Sequence, residues 1–107
     1  MTSMTTLAIA TSGPNGGLAL QPAEGAICHR PLAAGRGRGK DVMPALRAML
    51  EDAGLSPADL GQLVVDVGPG SFTGVRVGVT VAKTLAWSLG LDVVAVSSLD
   101  LLTASAP

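Results

Sequence analysis

Cysteine is represented once, by Cys28, so no internal disulfide can form and a reducing cytosol is the expected home. Histidine is equally scarce. His29 stands alone, and no group of His, Cys or carboxylate residues has the spacing of a metal site, so no metal is expected. Charged residues make up 14% of the chain and nearly cancel, leaving a net charge of −1. There is therefore no overall attraction to nucleic acid. A long uncharged apolar run is also missing. The span 75–96 is the nearest approach, and Arg76, Lys83 and Asp92 interrupt it, which argues against a membrane helix. Met1 is followed by Thr-Ser-Met-Thr-Thr, without basic residues ahead of an apolar stretch, so the start does not read as a secretory signal. What is present is 48% hydrophobic residues in 107 positions, enough for the core of one compact domain.

The patterning predicts the order β-β-β-α-β-α-β. Strands are expected at Thr6–Ala10, Leu18–Leu20 and, more weakly, Ala26–Leu32, where Pro31 interrupts; turns rich in Gly, Pro, Ser and Asn separate them as in an antiparallel meander. Four of the seven cations (Arg30, Arg36, Arg38 and Lys40) fall in the next stretch, and residues 35–40 read as a basic Arg-Gly loop. Such segments can hold RNA backbone, but Phe72 and Trp87 are the only aromatic residues and neither is nearby. A helix capped by Asp41 follows, with Pro44 in its first turn. Met43, Leu46, Met49, Leu50 and Ala53 form its apolar stripe, and Gly54 closes it in the left-handed conformation. Ser56-Pro57-Ala58-Asp59 caps one short further turn. Leu63–Val67 and Asp92–Val96 read as strands buried on both faces, joined by a long helix over Phe72–Leu89 that Gly90 ends. Two successive β-α-β steps imply a partly parallel sheet, five-stranded and mixed.

The most informative stretch is Gly68-Pro69-Gly70-Ser71-Phe72-Thr73-Gly74-Val75-Arg76-Val77-Gly78. An apolar strand stops at Gly-Pro-Gly and a helix opens directly after it. Free amides in the first helical turn make such a junction an anion-binding geometry, although most glycine turns of this kind only reverse the chain. The string is no generic phosphate loop. A Walker loop needs Lys then Ser or Thr after its second glycine, and Thr73 stands where the dinucleotide fingerprint needs a small third residue. Ser71 has no basic neighbour in sequence to activate it as a nucleophile. Further along the same helix, Gly74, Gly78, Ala82 and Ala86 recur every four residues and draw a ridge of nearly bare backbone. Each internal glycine costs about 1 kcal/mol relative to alanine, so close approach of another element must compensate. That element is either the chain's own sheet and first helix or a helix of another chain.

GPGSFTGVRVG resembles the signature of the TsaB (YeaZ) family, and the order of elements matches that family over nearly the whole chain. The resemblance implies an α/β, ribonuclease H-like lobe of the actin-like ATPase and kinase class. It implies that residues 1–107 form one N-terminal lobe and that a second lobe is absent from this chain. Ser97-Ser98-Leu99 reads as a helix start cut short at Pro107, in keeping with that expectation. The implied role is a non-catalytic, cytoplasmic subunit of the machinery that makes threonylcarbamoyladenosine on tRNA. Its implied partners are the catalytic paralogue TsaD and TsaE, with a homodimer in isolation, tRNA reached only indirectly, no cofactor bound by this chain alone and ATP engaged at the level of the complex. The partner surface carried over from the family lies on the two helices, with Met43, Leu46, Met49, Leu50, Gly74, Gly78, Ala82 and Ala86. The motif loop, Gly68 to Gly74 with Arg76, would be the nucleotide-proximal element, and no catalytic residue is expected.

Two departures bear on this. The family's first strand usually ends Asp-Thr-Ser, whereas this chain has Ala10-Thr11-Ser12. Ala10 cannot supply an oxygen ligand to a divalent cation. The family's first helix often opens near His-Ser, and Gly39-Lys40 stands here. Two other functions stay compatible with the residues: an ATP-binding or ATP-hydrolysing enzyme of the actin-like kinase class, and a self-associating lobe without a role in the pathway.

Overall fold

The computed structural model describes residues 4–13, 16–32, 38–70 and 72–97. Five strands form one mixed sheet: β1 (Thr5–Ala10), β2 (Gly17–Gln21), β3 (Cys28–Pro31), β4 (Leu60–Asp66) and β5 (Val93–Val96). Their spatial order is β3-β2-β1-β4-β5. The first three strands pair antiparallel, while β4 lies parallel to β1 and β5 parallel to β4. The expected meander and two β-α-β steps are both present. Helix α1 (Arg38–Asp52) precedes β4, and α2 (Phe72–Leu89) connects β4 to β5.

The register explains the core. Leu20, Leu7 and Leu63 stand abreast on three neighbouring strands, and Leu18, Ile9 and Val65 form the next row. All six are buried, as period-two alternation requires of one sheet face. Helix α1 lays Val42, Leu46, Met49 and Leu50 on these rows, and α2 adds Ala82 and Leu85. Each fully buried aliphatic side chain contributes about 1.5–3 kcal/mol relative to exposure.

Both helices end as their glycines dictate. At Gly54 (φ 71°), Leu55 N–H donates to the Leu50 carbonyl and Gly54 N–H to that of Glu51. This pair of bonds defines a Schellman cap, which satisfies carbonyls the helix would leave open. Gly90 (φ 68°) ends α2 alike, with Leu91 N–H donating to the Ala86 carbonyl. A short 3-10 turn, Pro57–Asp59, follows α1 as Ser56-Pro57 implied, and the Asp59 carboxylate accepts the Ser56 N–H at 2.8 Å.

Several boundaries differ from expectation. Helix α1 begins at Arg38, so Arg38-Gly39-Lys40 belong to a helix and only residues 35–37 of the Arg-Gly stretch stay outside the described residues. Asp41 then lies in the first turn, where its charge complements the helix dipole, and Pro44 sits inside the helix. The apolar stripe starts at Val42, fully buried, whereas Met43 is 43% exposed. One residue turns a helix by about 100°, so both placements fit the spacing and only the packing decides between them. Strand β4 begins at Leu60, three residues ahead of expectation, and leaves Val67 outside and exposed. Strand β5 is not buried on both faces. It has one neighbour, at the edge of the sheet, and Val94 is 40% exposed. Ile27, expected in the third strand, lies before it and is exposed. Among the described residues, no helix is long and apolar enough to cross a membrane.

Candidate functional site

Parallel pairing brings the C-terminal ends of β1 and β4 side by side, the edge at which open α/β sheets place their ligands. Thr11-Ser12 leaves β1 there and Gly68-Pro69-Gly70 leaves β4. The Gly68–Pro69 peptide is cis, and Gly68 has φ 94°, which a side chain would strain.

The two turns are bolted together by side chains that are all buried: Thr11, Ser12 and Asp66. The Thr11 hydroxyl donates to the Gly74 carbonyl at 2.6 Å, in the first turn of α2. Ser12 donates its hydroxyl to one Asp66 carboxylate oxygen, and Gly68 N–H donates to the other at 2.8 Å. Sequence patterning alone missed Asp66, which reads there as part of an apolar strand. The signal was available as a lone carboxylate in a hydrophobic run directly before Gly-Pro-Gly. Its place is instructive. Ala10 follows Ile9 and Asp66 follows Val65, the pair that stand abreast in the register. Strand β1 therefore ends without a carboxylate, at Ala10, and the adjacent strand β4 ends with one, at Asp66.

The motif glycines have a steric cause. A β-carbon on Gly70 would lie 2.5 Å from the Ser12 carbonyl oxygen, and one on Gly74 would overlap the Thr11 carbonyl oxygen. On Gly78 it would stand 2.5 Å from the Thr11 hydroxyl oxygen and 3.4 Å from Val65. Ala82, next along the ridge, is fully buried in the core. The expectation that Gly74, Gly78 and Ala82 lie at a partner surface is therefore corrected. The ridge lets α2 descend onto the β1 turn and the sheet of its own chain, which compensates for helical glycines. Ala86 is half-buried against the same core.

The other expected site residues scatter. Leu46, Met49 and Leu50 are buried in the chain's own core, so of the α1 set only Met43 faces outward. Pro69, Gly70, Thr73 and Arg76 are exposed, and Gly68 and Gly74 are buried. Ser71 lies outside the described residues. On α2 the outward positions include Arg76, Thr80, Lys83 and Thr84, together with Trp87 at 89% exposure. A shallow concavity on α1 is lined by Met43, Pro44, Arg47, Ala48 and Glu51. Cys28 and His29 are exposed on β3, and among the described residues no group of three metal-binding side chains converges.

Comparison with known proteins agrees with this geometry. The family model for TsaD, tRNA N6-adenosine threonylcarbamoyltransferase, matches residues 23–107. The chain is 46% identical over 102 residues to the tRNA threonylcarbamoyladenosine biosynthesis protein TsaB of Bacillus subtilis, covering 95% of this chain and 44% of that protein. It is 39% identical over 70 residues to the tRNA N6-adenosine threonylcarbamoyltransferase of Bordetella avium, covering 65% of this chain and 20% of that one. The solved structure of YeaZ from Pseudomonas aeruginosa superposes with a TM-score of 0.88 at 33% identity, over 94% of this chain and 46% of that one. The lobe is thus ribonuclease H-like, as expected. The chain spans less than half the length of the TsaB relative and of the YeaZ structure.

Proposed function

The chain belongs to the TsaD family, on its TsaB (YeaZ) side, and from that membership we propose that it takes part in threonylcarbamoyladenosine formation on tRNA as a non-catalytic subunit. The observation that carries this reading is the 46% identity to a TsaB protein over 95% of the chain. It corresponds in this proposal to the N-terminal lobe of a cytoplasmic protein. Its partner is a TsaD paralogue, with TsaE joining the assembly and tRNA and ATP engaged by the complex. Non-catalysis is supported by Ala10 in place of the family aspartate. It is supported further by Thr11, Ser12 and Asp66, whose side chains serve to join two turns of the chain.

The partner surface in this reading is the outward side of the two helices. Among the described residues, Met43 and Trp87 are its exposed large apolar side chains, and tryptophan is among the residue types enriched in interface hot spots. The buried ridge sets how α2 sits on its own sheet and leaves the outward side to a partner. Self-association through this side is the second occupant, and the 89% exposure of Trp87 favours it.

The test is a reconstitution. TsaD and its other components are assayed for threonylcarbamoyladenosine on unmodified tRNA, with and without this chain. The expected result is no product from the chain alone and increased product when it joins TsaD. Magnesium-dependent turnover of ATP or modified tRNA from the chain alone would contradict the proposal.

A further inference from the structure

We infer that the outward stripe of α2 docks on a helix that carries carboxylates, so that its charges select a foreign partner over a second copy of this chain. The inference rests on the reading that TsaD meets the outward side of the helices, and it names the chemistry TsaD must present there. At about 100° per residue, Thr73, Arg76, Thr80, Lys83, Thr84 and Trp87 fall within about 100° of the helix circumference, and all of them are exposed. Each of these side chains can donate a hydrogen bond, through a hydroxyl, a guanidinium, an ammonium or an indole N–H. Helix α2 contains no Asp or Glu anywhere along Phe72–Leu89. Helix α1 differs, because Asp41, Glu51 and Asp52 balance its Arg38, Lys40 and Arg47. The stripe is therefore a donor surface that brings two cations and no anion of its own.

The exposed Trp87 ring would serve either occupant, so the charges decide between them. Arg76 and Lys83 are two turns apart and lie on one line along the helix. In an antiparallel self-pairing centred anywhere between them, a cation of one copy falls within about 5 Å, along the axis, of a cation of the other. Parallel pairing about a twofold axis sets each cation opposite its own copy. Packed helix axes are about 8–10 Å apart, close enough for these long side chains to repel. A helix with carboxylates about two turns apart, roughly 10 Å, matches the same two positions with attraction instead. RNA also offers acceptors, but two cations neutralise few phosphates and the net charge of the chain is −1.

The experiment titrates TsaD into wild type, Lys83→Gln and Lys83→Glu by calorimetry, with circular dichroism to confirm that each is folded. Wild-type affinity is expected to fall at least about tenfold between about 50 mM and about 500 mM salt. Lys83→Glu is expected to bind at least about tenfold more weakly at low salt, with Lys83→Gln between the two. The isolated Lys83→Glu chain is expected to self-associate more than wild type in sedimentation, because the introduced carboxylate meets Arg76 of the other copy. Binding of TsaD that ignores both salt and Lys83→Glu overturns the inference and leaves the TsaD partnership standing. No binding of TsaD by wild type removes both. Weaker self-association of Lys83→Glu overturns the inference as well. So does binding of unmodified tRNA that is tighter than that of TsaD and is lost in Lys83→Glu, which would assign the stripe to RNA.

Discussion

At the scale of residues, the junction between β1 and α2 depends on a few atoms. Asp66→Ala removes the acceptor of a buried hydroxyl and a buried amide. Leaving such donors unpaired costs about 1–3 kcal/mol, so the urea midpoint should fall by a corresponding amount. Gly78→Ala places a methyl 2.5 Å from the Thr11 hydroxyl oxygen, and overpacking of this kind costs about 1–3 kcal/mol. Gly78→Leu should destabilise further. The outcome to measure is a lowered melting temperature in the isolated chain. Normal stability with loss of the partner alone would return the ridge to the surface. The glycine string was legible in the sequence as a motif. Its cause was not, because four-residue spacing shows that something comes close without showing what. Asp66 was hidden because strand periodicity describes which face a residue occupies and carries no information about hydrogen bonds across 54 positions.

At the scale of elements, the caps were the most legible feature and the starts the least. Gly54 and Gly90 both adopt the left-handed conformation that a helix-ending glycine implies. Gly54→Ala must place a β-carbon in that conformation, at a cost of about 1–2 kcal/mol, which a chemical denaturation curve would register. The start of α1 was misplaced because Arg-Gly-Lys has loop composition, yet tertiary packing of Val42 and Leu46 draws the preceding turn into the helix. Because Val42 takes the core position, its neighbour Met43, about 100° round the helix, faces outward. Leu46→Ala should cost about 2–5 kcal/mol as a core truncation, while Met43→Ala should leave stability within about 0.5 kcal/mol of wild type. Equal losses from both would mean that the stripe runs through Met43 after all.

At the scale of the whole molecule, a mixed five-stranded sheet followed from the alternation of strands and helices, whereas the spatial order β3-β2-β1-β4-β5 came only with the structure. The exposure of β5 did not follow either, since an apolar strand reads alike at the centre and at the edge of a sheet. The arrangement leaves one side of α1 and α2 packed on the sheet and the other facing outward, with Trp87 its most exposed large apolar residue. The account rests on that outward side being where TsaD docks. Trp87 is the only tryptophan in the chain, so incorporation of 5-fluorotryptophan gives a single fluorine resonance at the proposed contact. Titrating unlabelled TsaD into the labelled chain tests the account most directly. It predicts that the resonance shifts and saturates at a fixed stoichiometry, and that Met43→Ala weakens the interaction without changing the fold. A resonance left unmoved while the two proteins co-purify, or while the chain stimulates tRNA modification, would contradict it.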